Sequence, residues 1–218
     1  YNEIKKGGRP MKIQLACDFY CLEDALKVLK EIVEEIDIIE VGTDLMLAEG
    51  TRALRIIKET YPDKILLSDM KVMDGGRELG ELAYKNGADI FTVLGVASEE
   101  TIQAACSVAR QYHKKVCVDM IGLADNLEKA KQYSKWGADY LCVHTADDQL
   151  HNKNFYHCLA DYVNAIGACS CSIAGGIDPD NLKSICKYEP EIIVVGGYIT
   201  RAANPKQALK DIKEVMYG

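Results

Sequence analysis

Residues 64–71 read KILLSDMK, a short apolar run that ends in charged residues. Similar strand-like runs recur along the chain, and an amphipathic, helix-like stretch follows each of them. The strand-like runs begin at residues 12, 37, 64, 89, 115, 139, 169 and 191, so successive starts lie 22 to 30 residues apart. Each interval has room for one strand, one helix and two loops, as a parallel βαβ crossover requires.

The stretches between the strand-like runs contain the sequence signals that start and end helices. Residues 100–113 place apolar side chains at helical spacing. Asp-Pro at 178–179 and Asn-Pro at 204–205 combine a capping residue with a first-turn proline. The sequences NGAD (86–89) and WGAD (136–139) predict the same helix-to-strand turn, with glycine in the left-handed position.

Eight such units predict a single-domain (β/α)₈ TIM barrel over residues 11–218. A doubly wound sheet is the alternative, but that fold usually has fewer units and a topological switch point. Residues 1–10 are polar and contain glycine, so we interpret them as a native extension or a vector-derived remnant. Residues 11–218 then form the catalytic domain.

Composition narrows the classes of partner. The formal net charge of −7 argues against nucleic acid, which proteins bind through clustered Lys and Arg. No signal peptide or apolar run long enough to cross a bilayer is present in the sequence. The nine cysteines are odd in number and form no CxxC pair, which favours free thiols over a disulfide framework. We therefore expect a cytoplasmic protein with no membrane partner.

Polar residues gather where the predicted strands end. These residues are Asp18, Glu40, Asp69, Lys71, Asp119, His144 and Thr145, followed by the glycine pairs Gly175-Gly176 and Gly196-Gly197. In barrel enzymes the carboxyl ends of the strands carry the chemistry. Each residue alone has a structural interpretation: a satisfied core carboxylate or histidine, an ion pair, or a helix cap. Independent structural roles would not all fall on one rim, so the pattern predicts an active site.

Two ligands follow from this rim. Four carboxylates with one lysine leave excess negative charge, which a divalent cation would relieve, and hard oxygen donors suit Mg²⁺. Glu40 and Asp69, on adjacent strands, are the predicted metal ligands. Glycine pairs after strands seven and eight let backbone N–H groups approach a phosphate. The sequence thus predicts a small phosphorylated substrate, held by Gly175, Gly176, Gly196 and Gly197.

With these residues identified, the chain resembles the orotidine-monophosphate-decarboxylase suprafamily. Residues 69–74, DMKVMD, match its Asp-x-Lys-x-x-Asp motif, and the resemblance runs from Met11 to the C-terminus. Within the suprafamily it is most similar to the 3-hexulose-6-phosphate synthases, with the 3-keto-L-gulonate-6-phosphate decarboxylases as near relatives. The stretches IIEVGT (38–43) and AEG (48–50) and the glycine pairs also carry the resemblance.

Three positions favour the synthases over the decarboxylases. The decarboxylase pattern has glutamate where this chain has Asp119, and arginine where it has Asp147 and Gly197. One departure from the family is Cys17, which stands where an apolar residue such as leucine is usual. Cys17 and Asp147 are therefore candidates for tuning substrate choice.

The resemblance implies a Mg²⁺-dependent aldol condensation of D-ribulose 5-phosphate with formaldehyde through an enediolate. Lys71 would stabilise negative charge, His144 would transfer the proton, Asp119 would assist it, and Asp18 and Glu40 would contact the sugar. Asp74 would reach a neighbouring subunit's site, so the resemblance implies a homodimer with shared active sites. The alternatives are a decarboxylase on the same scaffold and a non-catalytic sugar-phosphate binding protein; intact retention of the rim argues against the latter.

Overall fold

The protein is described here by a computed structural model that covers residues 11–123, 126–149, 158–166 and 170–218. Eight parallel strands close into a barrel in chain order, and β1 pairs with β8. The strands are β1 (Lys12–Cys17), β2 (Ile38–Val41), β3 (Ile65–Val72), β4 (Ile90–Leu94), β5 (Lys115–Asp119), β6 (Tyr140–His144), β7 (Ser170–Ala174) and β8 (Ile192–Val195). The predicted (β/α)₈ barrel is confirmed, and each strand begins within one residue of its predicted start. Residues 1–10 lie outside the described residues.

Helices surround the barrel. Those described are α1 (Leu22–Ile32), α2 (Thr43–Glu49), α3 (Thr51–Thr60), α4 (Gly76–Lys85), α5 (Glu99–Gln111), α6 (Leu127–Trp136), α7 (Leu159–Ala165), α8 (Pro179–Ile185), α9 (Gly197–Thr200) and α10 (Pro205–Tyr217). The two predicted proline starts are confirmed: Asp178 caps α8 and Asn204 caps α10 through their side chains. The predicted glycine turns are confirmed as well, since Gly87 and Gly137 have φ angles of 102° and 96°.

Two apolar layers hold the fold together. The larger packs the outer faces of the strands against the helices. The smaller fills the inside of the barrel, where it consists of Ala16, Ile38, Leu67, Ile90, Cys117, Tyr140, Cys142, Ala174, Ile192 and Val194. This inner layer closes the barrel from below, so polar side chains near the strands' carboxyl ends lie above an apolar floor.

Aspartates secure the opposite, amino-terminal edge of the barrel. Three of them precede a strand, and each accepts a hydrogen bond from a backbone N–H at the start of the preceding strand. The pairs are Asp37 with Ile13 (2.8 Å), Asp89 with Leu66 (3.0 Å) and Asp139 with Val116 (3.0 Å). The last aspartate of each NGAD or WGAD turn therefore joins neighbouring strands, which is a structural role at the end of the barrel remote from the candidate site.

The eight cysteines within the described residues form no disulfide with one another, and Cys169 lies outside those residues. Most are buried, and burial raises the pKa of the Cys171 thiol to about 12. Across the described part of the chain, no helix combines the length and apolarity needed to cross a membrane.

Candidate active site

A continuous row of ionisable groups lies at the carboxyl ends of β3, β5 and β6. The ammonium group of Lys71 lies 2.9 Å from Oδ2 of Asp69 and 3.0 Å from Oδ2 of Asp119. Nδ1 of His144 lies 2.8 Å from the same Asp119 oxygen. Four residues that the sequence placed on one rim are thus in direct contact, and Asp119 links the lysine to the histidine.

A local irregularity of β3 directs Lys71 into this row. The pairing register between β3 and β4 shifts between Ser68 and Val72, which marks a β-bulge. Lys71 lies inside the bulge with a φ angle of 44°, a left-handed conformation uncommon for a side chain of this kind. Its backbone N–H, freed from regular pairing, donates a 2.9 Å hydrogen bond to Oγ1 of Thr92 on β4. Regular alternation along β3 is therefore not what brings Lys71 beside Asp69.

Two threonines fix the carboxylate of Asp69. Thr43 donates a 2.7 Å hydrogen bond to Oδ2, and Thr92 donates a 2.8 Å hydrogen bond to Oδ1. Thr92 therefore binds both the backbone of Lys71 and the side chain of Asp69. Because these groups are buried or nearly so, each hydrogen bond also satisfies a polar atom that has little access to water.

Electrostatics keep Lys71 and Asp119 charged. Burial disfavours the ammonium group of Lys71, but the nearby charges of Asp69 and Asp119 outweigh that effect and raise its pKa above the ordinary lysine value. Burial likewise disfavours the Asp119 carboxylate, yet hydrogen bonding and charge from His144, with the charge of Lys71, lower its pKa to about 2. The pair is thus a fixed cation beside a fixed anion at neutral pH.

Glu40 is a carboxylate with too little positive charge around it. It is buried on β2, where Nε2 of Gln14 donates a 2.6 Å hydrogen bond to Oε2. Burial first, and then the charges of Asp69 and Asp18, raise the pKa of Glu40 well above its usual range. Close carboxylates that repel one another at a partly open cleft are a suitable donor set for a hard divalent cation.

The chemistry of these donors fits Mg²⁺, and Glu40 and Asp69 are the two residues that would hold it. No group of three or more His, Cys, Asp or Glu side chains within the described residues is arranged to hold a metal ion. A fully enclosing cage is not what Mg²⁺ requires, since it usually keeps several waters and binds one or two carboxylates.

An open cleft of about 560 Å³ lies above the row. Its lining includes most of the site residues that the sequence predicts: Asp18, Glu40, Asp69, Lys71, His144, Gly175, Gly176, Gly196 and Gly197. Asp119 does not line this cleft; it lies beneath it, inside the barrel, and meets the cleft through Lys71 and His144. Asp74 is exposed in the turn after β3, outside the cleft lining.

Sequence reasoning missed several polar residues of the site. Thr43, Thr92 and Gln14 hold the carboxylates, and Arg201 lines the cleft beside the last glycine pair. Threonine and glutamine in a strand-like run are common and uncharged, so they gave no signal. Arg201 follows α9 and is separated from the strand end that the sequence pattern marked. The side chain of Asp147 is outside what the structure describes.

A rim of ionisable side chains at the carboxyl ends of barrel strands, above an apolar floor, defines a (β/α)₈-barrel enzyme. The profile of the orotidine 5'-phosphate decarboxylase / HUMPS family matches residues 11–212. The chain belongs to that family.

Individual relatives are similar over nearly their whole length. The 3-hexulose-6-phosphate synthase of Bacillus subtilis (strain 168) is 38% identical over 94% of this chain and 99% of its own. The crystal structure of 3-hexulose-6-phosphate synthase from Salmonella typhimurium has a TM-score of 0.90 at 37% identity, over 94% of this chain and 98% of its own. The 3-keto-L-gulonate-6-phosphate decarboxylase from Vibrio cholerae has a TM-score of 0.83 at 26% identity, over 95% and 98%.

The double role of Thr92 generates a prediction about stability. In Thr92→Val, the buried N–H of Lys71 and an oxygen of Asp69 lose their partner, and we expect a loss of about 1–3 kcal/mol in the free energy of unfolding. Thr92→Ser keeps the hydroxyl group and loses only a methyl group, so it should be the more stable of the two variants. Urea denaturation of both proteins measures this order.

The opposite order would contradict the assigned role of Thr92. Valine is the better strand former and the more apolar side chain, so packing and strand propensity alone would make Thr92→Val more stable than Thr92→Ser.

Proposed function

We propose that the chain is a 3-hexulose-6-phosphate synthase, which joins D-ribulose 5-phosphate to formaldehyde to give D-arabino-3-hexulose 6-phosphate. The observation that carries the proposal is the row formed by Lys71, Asp119 and His144, a fixed cation and an imidazole joined by one carboxylate. Relatives named as this synthase, 35–38% identical over at least 94% of the chain, support the choice of reaction.

Glu40 and Asp69 would hold the Mg²⁺ ion in this proposal. When bound, Mg²⁺ supplies Lewis-acid stabilisation of negative charge on the sugar oxygens. Thr43 and Thr92 keep the Asp69 carboxylate in one orientation, and Gln14 does the same for Glu40. Such supporting hydrogen bonds are what a metal ligand needs in order to present its oxygen atoms in a fixed geometry.

His144 is the proposed proton-transfer residue. Its Nδ1 faces Asp119, so Nε2 is the atom that would remove a proton from the sugar carbon next to the ketone. The resulting enediolate carbon attacks formaldehyde, and the same proton then neutralises the new alkoxide. Asp119 holds the imidazole in position and touches no substrate, so it acts as a positioning residue.

Lys71 acts as a preorganised cation and not as a nucleophile. Its ammonium group is held between Asp69 and Asp119, which keeps it protonated and therefore unable to form a Schiff base. A charge fixed before the reaction stabilises an oxyanion without reorganisation, and removal of one such group typically lowers kcat about 100- to 1000-fold. Asp18, at the cleft wall, would orient the sugar hydroxyl groups.

The proposed functional unit is a homodimer with shared active sites. Asp74 is exposed and its Oδ1 accepts a hydrogen bond only from the adjacent Gly75 N–H among the described residues, at 2.8 Å. Large apolar side chains are exposed in the loops or helices that follow the first four strands: Tyr20 (83%), Leu47 (81%), Met73 (54%) and Val96 (45%). A second subunit that covers these residues would explain both features.

The proposed compartment is the cytoplasm. The support is that the eight described cysteines form no disulfide with one another, as is usual where thiols are kept reduced.

The first test of the proposed function is a product assay. We expect the wild-type protein to consume formaldehyde only with D-ribulose 5-phosphate and Mg²⁺ present, and to lose activity reversibly in a chelator. Lys71→Ala should lower kcat by about 100-fold or more, whereas Lys27→Ala, on the exposed face of α1, should match wild type. CO₂ release from 3-keto-L-gulonate 6-phosphate, without formaldehyde consumption, would establish the decarboxylase instead.

The second test concerns the shared site. Lys71→Ala and Asp74→Ala proteins should each be inactive alone. Because one hybrid site would contain both native residues, mixing the two proteins should restore up to about a quarter of the wild-type activity once subunits have exchanged randomly. No recovery after exchange verified by mass spectrometry would refute the contribution of Asp74 in trans.

A further inference from the structure

The cleft contains two cations of different status among the described residues, Lys71 and Arg201. Lys71 is already engaged, since its ammonium group contacts Asp69 and Asp119. Arg201 forms no ion pair or side-chain hydrogen bond with any residue that the structure describes, and it is exposed on the cleft wall. The guanidinium group of Arg201 is therefore available to a ligand in the cleft.

The position of Arg201 is set by α9. Its backbone N–H donates a 3.1 Å hydrogen bond to the carbonyl oxygen of Gly197, so the side chain lies one turn after the glycine. The guanidinium then folds back over Gly197: a methyl group at that glycine would lie 2.6 Å from Nη2, 2.8 Å from Nε and 2.9 Å from Cζ. The absence of a side chain at Gly197 therefore leaves the space that the guanidinium group of Arg201 occupies.

The guanidinium lies at the glycine end of the cleft. Gly175, Gly176 and Gly196 line the same cleft as Arg201, and strand β8, which precedes it, is three strands away from β3 around the barrel. Lys71 lies across the barrel from both glycine pairs, which follow β7 and β8. A substrate with its reacting carbons near Lys71 would thus place its far end near Arg201.

The chemistry of the group indicates what that far end carries. A guanidinium presents its N–H groups in a planar fork that fits the oxygens of phosphate in a bidentate manner. A phosphate dianion would balance the positive charge of Arg201. Its remaining oxygens could accept hydrogen bonds from the backbone N–H groups of the glycine residues, which no side chain blocks. An uncharged sugar hydroxyl could accept such hydrogen bonds but would not supply the negative charge.

We propose that Arg201 binds the phosphate group of the substrate, reaching it across Gly197 from one helical turn later. The inference rests on the proposed sugar-phosphate substrate and adds the residue that distinguishes phosphorylated from unphosphorylated sugars. Arg201 contributes binding and takes no part in proton transfer, because a guanidinium group keeps its proton at neutral pH.

Isothermal titration calorimetry tests the inference independently of turnover. D-Ribulose 5-phosphate and inorganic phosphate, each titrated into the full chain, should bind Arg201→Met about 10- to 100-fold more weakly than wild type. Arg201→Lys should lose less, since it keeps the charge but not the fork. Arg55→Met, which removes an exposed arginine hydrogen-bonded to Asn86 on the outside of the barrel, is the control and should bind as wild type does.

Gly197→Ala gives a second, geometric test. The new methyl group would displace the guanidinium, so this variant should weaken phosphate binding in the wild-type background and add little to Arg201→Met. In turnover, Arg201→Met should raise KM for D-ribulose 5-phosphate while kcat stays within about threefold, because the interaction is the same in ground and transition states.

Outcomes that overturn the inference are distinct from those that overturn the proposed function. Equal binding of D-ribulose 5-phosphate by wild type and Arg201→Met, or no phosphate binding by wild type at millimolar concentration, excludes Arg201 as the phosphate ligand. A protein that binds phosphate through Arg201 but consumes no formaldehyde would retain this inference and lose the proposed reaction.

Discussion

The ion pairs of Lys71 are the interaction on which the rest of the site depends. Three buried carboxylates, Glu40, Asp69 and Asp119, come together near the barrel mouth, where each would repel the others and where water is scarce. Lys71 contacts two of them directly. Removing one partner from a buried charge pair is far more harmful than replacing the whole pair, so neither lysine nor carboxylate can be lost alone without consequence.

The ion pairs of Lys71 also give the three carboxylates different electrostatic surroundings. The ammonium group pairs with Asp119 on one side and Asp69 on the other, whereas Glu40, which it does not pair with, has its pKa raised by burial and by the charges of Asp69 and Asp18. In the proposed function, this one set of charges would provide both a fixed cation that stabilises an oxyanion and a pair of carboxylates that holds Mg²⁺. The opposite edge of the barrel shows the contrast, because its aspartates are bound to backbone N–H groups and have a structural role.

Much of the fold followed from the sequence because its signals are local. Strand starts, the proline-marked caps of α8 and α10 and the glycine turns at Gly87 and Gly137 depend on neighbours in the chain. The bulge at Lys71 depends instead on Thr92, which lies on another strand, and nothing in DMKVMD indicates it. The pattern of charged residues in the sequence located the rim. The neutral residues that hold those charges in place are recognised only from contacts between strands in the folded structure.

Arg201 illustrates the same limit at the level of the site. Glycine at 197 marks a difference from the decarboxylase pattern, which has arginine there, and the sequence alone presents this as a missing cation. In the structure a guanidinium covers that glycine from Arg201. The residue at position 197 therefore shows only which side chain brings positive charge to this loop. The choice of the synthase reaction over the decarboxylase reaction rests more strongly on Asp119 and on the names of the relatives.

The protonation state of Lys71 tests the central claim most directly. In protein labelled with ¹³C at the lysine ε-carbons, the Lys71 signal can be assigned by its loss in Lys71→Arg and followed with pH by NMR. The account predicts that Lys71 keeps its proton at pH values where exposed lysines titrate, about 10.4, because Asp69 and Asp119 raise its pKa. A Lys71 signal that titrates at or below the pKa of exposed lysines would show that the amine is not held as a cation, and would contradict the account.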